Sequence, residues 1–205
     1  MKPRINIVDY GIGNIMSLSQ AFRHIGCHVN VGDESNMLEY DLVVLPGVGA
    51  FGAAMEKMTT EGIIKKIKEY HAKGKLILGI CLGMQLLFSY SEEHSSFLGL
   101  DLIKGSVKRI ENKTSRHKVP HMGWKHVIFD ENSLSKDYYF AHSYQVFPDA
   151  LDIVTAKYSS YGSEIPAAIK KENLIGFQFH PEKSGVSGLE LLKSVTQEAI
   201  AVEIN

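Results

Sequence analysis

Residues 76–88 read LILGICLGMQLLF: an apolar run, then a cysteine between two glycines, then helix-like spacing. A run that is apolar at nearly every position predicts a strand buried on both faces, as found at the centre of a parallel sheet covered by helices. Gly79 and Gly83 flanking Cys81 predict a tight turn from that strand into the helix, the geometry of a nucleophile elbow with Cys in place of the usual Ser. Such a turn leaves no room for neighbouring Cβ atoms, and glycine tolerates dihedrals that other residues do not. The Cys81 side chain then points out above the sheet. A buried packing role competes with this reading, because free cysteine is among the most buried residue types.

The alternation extends to either side. "INIVD", "HVNV" and "DLVVLPG" read as further strands, and "NIMSLSQAFRHIG" and "GIIKKIKEYHAKG" as helices ended by glycine. After Cys81 the helical pattern runs on through "MQLLFSY". These elements predict an α/β fold, a flavodoxin-like three-layer sandwich with a central, mostly parallel sheet. From about residue 105 the candidates turn shorter and partly polar: "SVKRI", "KHVIF", "YYFAHSYQV", "DIVTAKY", "PAAIKK" and "LIGFQFH". A more antiparallel C-terminal half is expected, closed by a helix over "GLELLKSVTQEAIAV". Residues 1–205 read as a single domain.

Composition narrows the function classes. With 44% hydrophobic and 22% charged residues and a net charge of -1, the chain has no Lys/Arg block suited to nucleic acid or an anionic membrane. No apolar run is long enough to span a bilayer and the start goes straight into a strand, so a cytoplasmic location is expected. Cys27 and Cys81 are the only cysteines, too few for a disulfide scaffold, and Cys27 reads as core. "GIGNIM" lacks the third glycine of a dinucleotide fingerprint, having Met16 there. His117, His121 and His126 do not complete a metal set, because Pro120 breaks any helical face and no Cys or carboxylate joins them. No cofactor and no metal are expected.

A nucleophile requires a base, and His180 ends the strand pattern of "LIGFQFHPEKS". Glu182 lies two residues on, so in extended chain both side chains leave on one side and the carboxylate can orient the imidazole. Pro181 between them fixes a φ angle. In "VVLPGVGAFGAAM", Gly47 and Gly49 follow a buried strand, and such a loop can turn its N–H groups towards a ligand. The oxyanion-hole donors expected are the N–H of Leu82, after the nucleophile, and that of Val48 or Gly49.

Taken in order, "PGVGAF", "GICLGMQ", "HSY" and "HPEKS" resemble the triad class of glutamine amidotransferase domains, and within it the glutaminase subunits of imidazole glycerol phosphate synthase. The resemblance implies hydrolysis of L-glutamine through a Cys81 thioester, with His180 as base and acid and Glu182 orienting it. It implies glutamine contacts at Gly49, Gln85, His142, Ser143 and Tyr144. It also implies a heterodimer with a (β/α)8-barrel cyclase that receives the ammonia, makes imidazole glycerol phosphate and releases the purine by-product AICAR in histidine biosynthesis. Asn14, Met122, Trp124, Lys125 and Lys183 match the cyclase-facing positions. Trp124 suits an interface centre or a core equally. Lys125 departs from the family's usual Asn, which keeps open a paralogous role supplying ammonia to a surface-sugar amidating enzyme. The layout alone also admits a catalytically silent sensor or scaffold, since fold does not fix function.

Overall fold

The computed structural model describes residues 2–11, 13–111, 118–160 and 162–204, with side chains described to residue 201. His117 of the histidine cluster lies outside these residues. The described strands are β1 (Arg4–Ile7), β2 (His28–Val31), β3 (Leu42–Leu45), β4 (Leu76–Ile80), β5 (Phe88–Ser91), β6 (Phe97–Leu98) and β7 (Ile103–Arg109). They continue with β8 (His121–Phe129), β9 (Lys136–His142), β10 (Tyr144–Pro148), β11 (Val154–Ser160), β12 (Ser163–Lys171) and β13 (Leu174–Phe177). The α-helices are α1 (Ile15–His24), α2 (Phe51–Thr60), α3 (Ile63–Ala72), α4 (Leu82–Leu86) and α5 (Gly185–Ile204).

Nine strands form one mixed sheet in the order β2-β1-β3-β4-β13-β12-β11-β8-β9. β2, β1, β3, β4 and β13 are mutually parallel, and every pairing from β13 to β9 is antiparallel. The parallel half obeys the burial rule: β3 and β4 are buried at every position. In β3 the period of two sends Leu42 and Val44 to one core and Val43 and Leu45 to the other. The first core is covered by α1 through Leu18 and Phe22 and by α5 through Leu191, Leu192 and Val195. α2 and α3 cover the second, with Phe51, Met58, Ile67 and Tyr70. Each such side chain contributes about 1.5–3 kcal/mol when fully buried.

A four-stranded sheet, β10-β7-β5-β6, packs beside the second core. Two expected elements change here. The helix after Cys81 ends at Leu86, and "FSY" forms β5 instead, where Phe88 pairs with Ile103 and Ser91 with Val107. "YYFAHSYQV" is not one strand: β9 belongs to the large sheet and β10 to the small one, and Ser143 stands at the crossing. Tertiary pairing overrides local pattern in both cases.

Candidate active site

Glycines at the elbow do the steric work expected of them. A Cβ on Gly83 would lie 1.9 Å from the Leu45 carbonyl oxygen, and one on Gly79 2.6 Å from Met84 N, so α4 rests directly on backbone of β3 and β4. Gly47 plays the same part for the strand-end loop, since its Cβ would stand 2.5 Å from Leu82 Cβ. The backbone strain, however, is carried by the cysteine: Cys81 has φ 53° and ψ -107°, a region that L-residues scarcely occupy. Strained corners of this kind cluster at functional sites.

Beside Cys81 opens a cavity of about 370 Å³. One wall is Val48, Gly49, Leu82 and Gln85, and the other is Ala141, His142, Ser143 and Tyr144. Every position expected to touch substrate or oxyanion therefore meets around the sulfur. His180 and Glu182 do not line the cavity. They lie buried, with His180 Nδ1 2.9 Å from Glu182 Oε1 and side chains 2% and 4% exposed. Burial alone pushes the His180 pKa down, but hydrogen bonding and charge interaction with Cys81, and then with Glu182, outweigh it and raise the pKa to about 10. The segment is tied to β9: His180 N donates to Tyr139 O, and Ser184 Oγ donates to His180 O while accepting from Tyr139 N.

The opposite wall is held by a neutral histidine. Burial is the main cause that lowers the His142 pKa to about 3. Its Nδ1 lies 2.7 Å from the Tyr144 carbonyl, which only accepts, so Nδ1 carries the proton and Nε2 accepts from the Tyr158 hydroxyl at 3.0 Å. The Tyr158 oxygen, its proton committed, accepts from His121 Nδ1 at 2.5 Å. His121 is thus buried in this relay, whereas His126 is exposed and 2.8 Å from Asp137 on the other face of β8, so the two do not converge on an ion.

A pH signature follows from these two histidines. Between pH 6.5 and 3 the unfolded chain binds a proton that folded His142 refuses, so this contribution is complete above pH 6.5 and is lost as pH falls. His180 has the opposite sign: its contribution is present below about pH 6.5 and is lost as pH rises through about 10. Urea unfolding between pH 6.5 and 5 should lose stability at up to about 1.4 kcal/mol per pH unit, and His142→Gln should flatten that slope. An unchanged slope in the variant would remove His142 as its source.

Two polar side chains of the site escaped the sequence reading. Glu93 is the one charged residue lining the cavity among the described residues, and its Oε2 accepts from Phe51 N at 2.6 Å. That bond satisfies an orphan N–H at the start of α2, whose own N-cap, Ala50, offers no side-chain acceptor. Gln178 is fully buried, with its amide between Gln85 and Cys81. Two residues before His180, Gln178 leaves the extended chain on the same side as His180.

Outside the cavity, Met122 and Trp124 are 63% and 56% exposed, so Trp124 is not a core residue. It meets Tyr139 edge-on at 6.2 Å, and Lys183 Nζ lies 5.9 Å from the same ring. Asn14 caps α1 by accepting from Ser17 N at 3.4 Å. The unbroken register of β8 against β9 puts Lys125 opposite Tyr138, on the strand face of His121 and Val127, away from Met122 and Trp124. Strand periodicity thus separates Lys125 from the other β8 positions that match the cyclase-facing ones. Cys27 is buried as expected. Among the described residues, no helix is long and apolar enough to cross a membrane.

An elbow cysteine, a buried His–Glu pair and a glycine loop on one sheet edge are the parts of a glutamine-hydrolysing domain, and the chain belongs to the class-I glutamine amidotransferase family, whose model matches residues 6–196. The fold agrees: the structure of PurLQS from Thermotoga maritima superposes with a TM-score of 0.74 at 22% identity, over 97% of this chain and 99% of that one. Within the family the chain groups with HisH subunits. It is 44% identical to the imidazole glycerol phosphate synthase subunit HisH of Moorella thermoacetica, over 95% of this chain and 94% of that protein. Its identity to the HisH subunit of Methanothermobacter thermautotrophicus is 45%, over 94% of this chain and 98% of that protein.

Proposed function

We propose that residues 1–205 act as a single glutaminase domain that hydrolyses L-glutamine and passes the ammonia to the cyclase subunit of imidazole glycerol phosphate synthase in histidine biosynthesis. The observation that carries this reading is the placement of the strained Cys81 corner between the buried His180–Glu182 pair and the cavity. His180, its pKa raised to about 10, holds at Nε2 the proton that comes from Cys81, and the Cys81 sulfur attacks the side-chain amide carbon. The C–N bond then breaks, and the nitrogen leaves as ammonia with that proton. Water adds to the thioester, the sulfur departs and glutamate is released. Glu182 holds the imidazole in place throughout. The developing oxyanion meets the N–H of Leu82 and of Val48 or Gly49.

The polar lining suits the rest of the substrate. The Glu93 carboxylate matches the α-ammonium of glutamine, and backbone groups of Gly49, His142, Ser143 and Tyr144 surround its other polar atoms. Both N–H groups of Gln85 are committed, to Tyr144 O at 3.2 Å and Gln178 Oε1 at 3.1 Å, so a substrate N–H meets its Oε1. The cyclase docks on the face of Met122, Trp124 and Lys183, next to Asn14 at the start of α1, where Met122 also lines the cavity mouth. With Lys125 on the other strand face, the departure that kept a sugar-amidating partner open bears less on the proposed docking face, and the intact Cys81, His180 and Glu182 set disfavours a silent scaffold.

The test is imidazole glycerol phosphate formation by this protein mixed with the cyclase of the same organism, on glutamine and separately on ammonium salt. Product from both is expected. Product from ammonium alone would reject the cyclase as its partner.

A further inference from the structure

Gln178 has no role in the mechanism so far, although its side chain is fully buried against the reacting sulfur. Its Nε2 lies 3.7 Å from Cys81 Sγ, and its Oε1 is 3.1 Å from Gln85 Nε2. The two ends of a carboxamide look alike in shape, so the chemistry must say which end faces sulfur. The chain of contacts does so. Tyr144 O is a backbone carbonyl and only accepts, so the Gln85 atom 3.2 Å from it is the NH₂ nitrogen. That same nitrogen must then donate to Gln178, which turns Oε1 of Gln178 towards Gln85 and its NH₂ group towards sulfur. A single main-chain acceptor thereby fixes the orientation of two amides in series.

An N–H aimed at sulfur discriminates between its two protonation states, because hydrogen bonds to an ionised acceptor are roughly twice as strong as neutral ones. In the thiol form, Sγ instead has the Ala141 carbonyl as its acceptor, at 4.0 Å. We propose that Gln178 is a catalytic residue whose side-chain N–H stabilises the Cys81 thiolate, both as it attacks the amide carbon and as it departs from the thioester. In the second step water bonds to the thioester carbon, its proton goes to His180, the C–S bond breaks with its electron pair on sulfur, and the Gln178 N–H faces that pair. This rests on Cys81 being the nucleophile of glutamine hydrolysis.

The test measures the alkylation of Cys81 by iodoacetamide against pH in the full chain, following the Cys81 peptide by mass spectrometry, so that it needs neither glutamine nor a partner. Gln178→Met, of similar shape and with no donor, should raise the pH of half-maximal alkylation by about one unit. Gln178→Glu still accepts from Gln85 but sets a carboxylate against the sulfur; it should raise that pH further, and lower kcat for glutamine by about 10²-fold with KM changed less than about threefold. In the unmodified chain, the Gln178 side-chain ¹⁵N–H₂ resonances should titrate together with Cys81 and cease to do so in Cys81→Ala. Alkylation profiles that stay on the wild-type curve, or Gln178 resonances indifferent to Cys81, would overturn the proposal. Absence of glutamine hydrolysis in the wild-type protein with its partner would instead overturn the glutaminase reading, while the alkylation profiles still report on Gln178.

Discussion

Cys81→Ala is expected to lower glutamine hydrolysis by about 10⁴-fold or more, because without the sulfur only orientation and oxyanion stabilisation remain. Ammonium-dependent product formation by the cyclase should persist in its presence, since the docking face proposed at Met122 and Trp124 is untouched. Retained glutamine-dependent turnover would reject Cys81 as nucleophile. The backbone adds a second, independent expectation. Cys81 sits at φ 53° and ψ -107°, and a non-glycine residue held in a sparsely populated region costs on the order of 1–3 kcal/mol. Alanine keeps that cost and glycine relieves it. Cys81→Gly should therefore be equally inactive yet more stable than Cys81→Ala by about 1–2 kcal/mol in urea unfolding. Equal stabilities would mean that the corner is not strained.

Gly83→Ala should be among the most damaging one-carbon changes in the protein. Its new Cβ would stand 1.9 Å from the oxygen and 2.6 Å from the carbon of the Leu45 carbonyl, and neither is the movable end of a side chain. Relief requires α4 to lift from β3, which carries the Leu82 N–H and the Cys81 corner with it. A loss of about 3 kcal/mol or more and collapse of glutamine hydrolysis are expected, since overpacking against backbone lies at the severe end of small-to-large changes. Gly162→Ala is the contrast: its φ is +77° but, among the described residues beyond its chain neighbours, nothing lies within 4 Å of the added carbon. That change should cost about 1 kcal/mol and leave hydrolysis intact. Thermal unfolding of the pair measures the difference, and similar losses would argue that dihedral strain, not contact, dominates at position 83.

What could be read in advance was whatever depends on near neighbours. The elbow was legible because Gly79, Cys81 and Gly83 fall within five residues, and the His180–Glu182 contact because the two are separated by one. The parallel half was legible because runs such as LVVL and LILGI are buried on both faces. Pairing between distant segments was not. Whether "FSY" prolongs α4 or becomes β5 depends on β7, and whether "YYFAHSYQV" is one strand or two depends on which sheet takes each end. Gln178 and Gln85 are 93 positions apart, and neither looks unusual without the other. Lys125 is next to Trp124 in sequence, yet in a strand adjacent residues face opposite ways, so closeness along the chain does not put the two on one surface.

Because the chain leaves the nine-stranded sheet at His142 and enters the four-stranded one at Tyr144, the cavity is a seam between two separately built layers rather than a hollow within one. Gly49 and Leu82 belong to the edge of the larger layer and Tyr144 to the smaller. A molecule seated there touches both layers at once, so a shift of one layer against the other changes the shape of the slot it must fit.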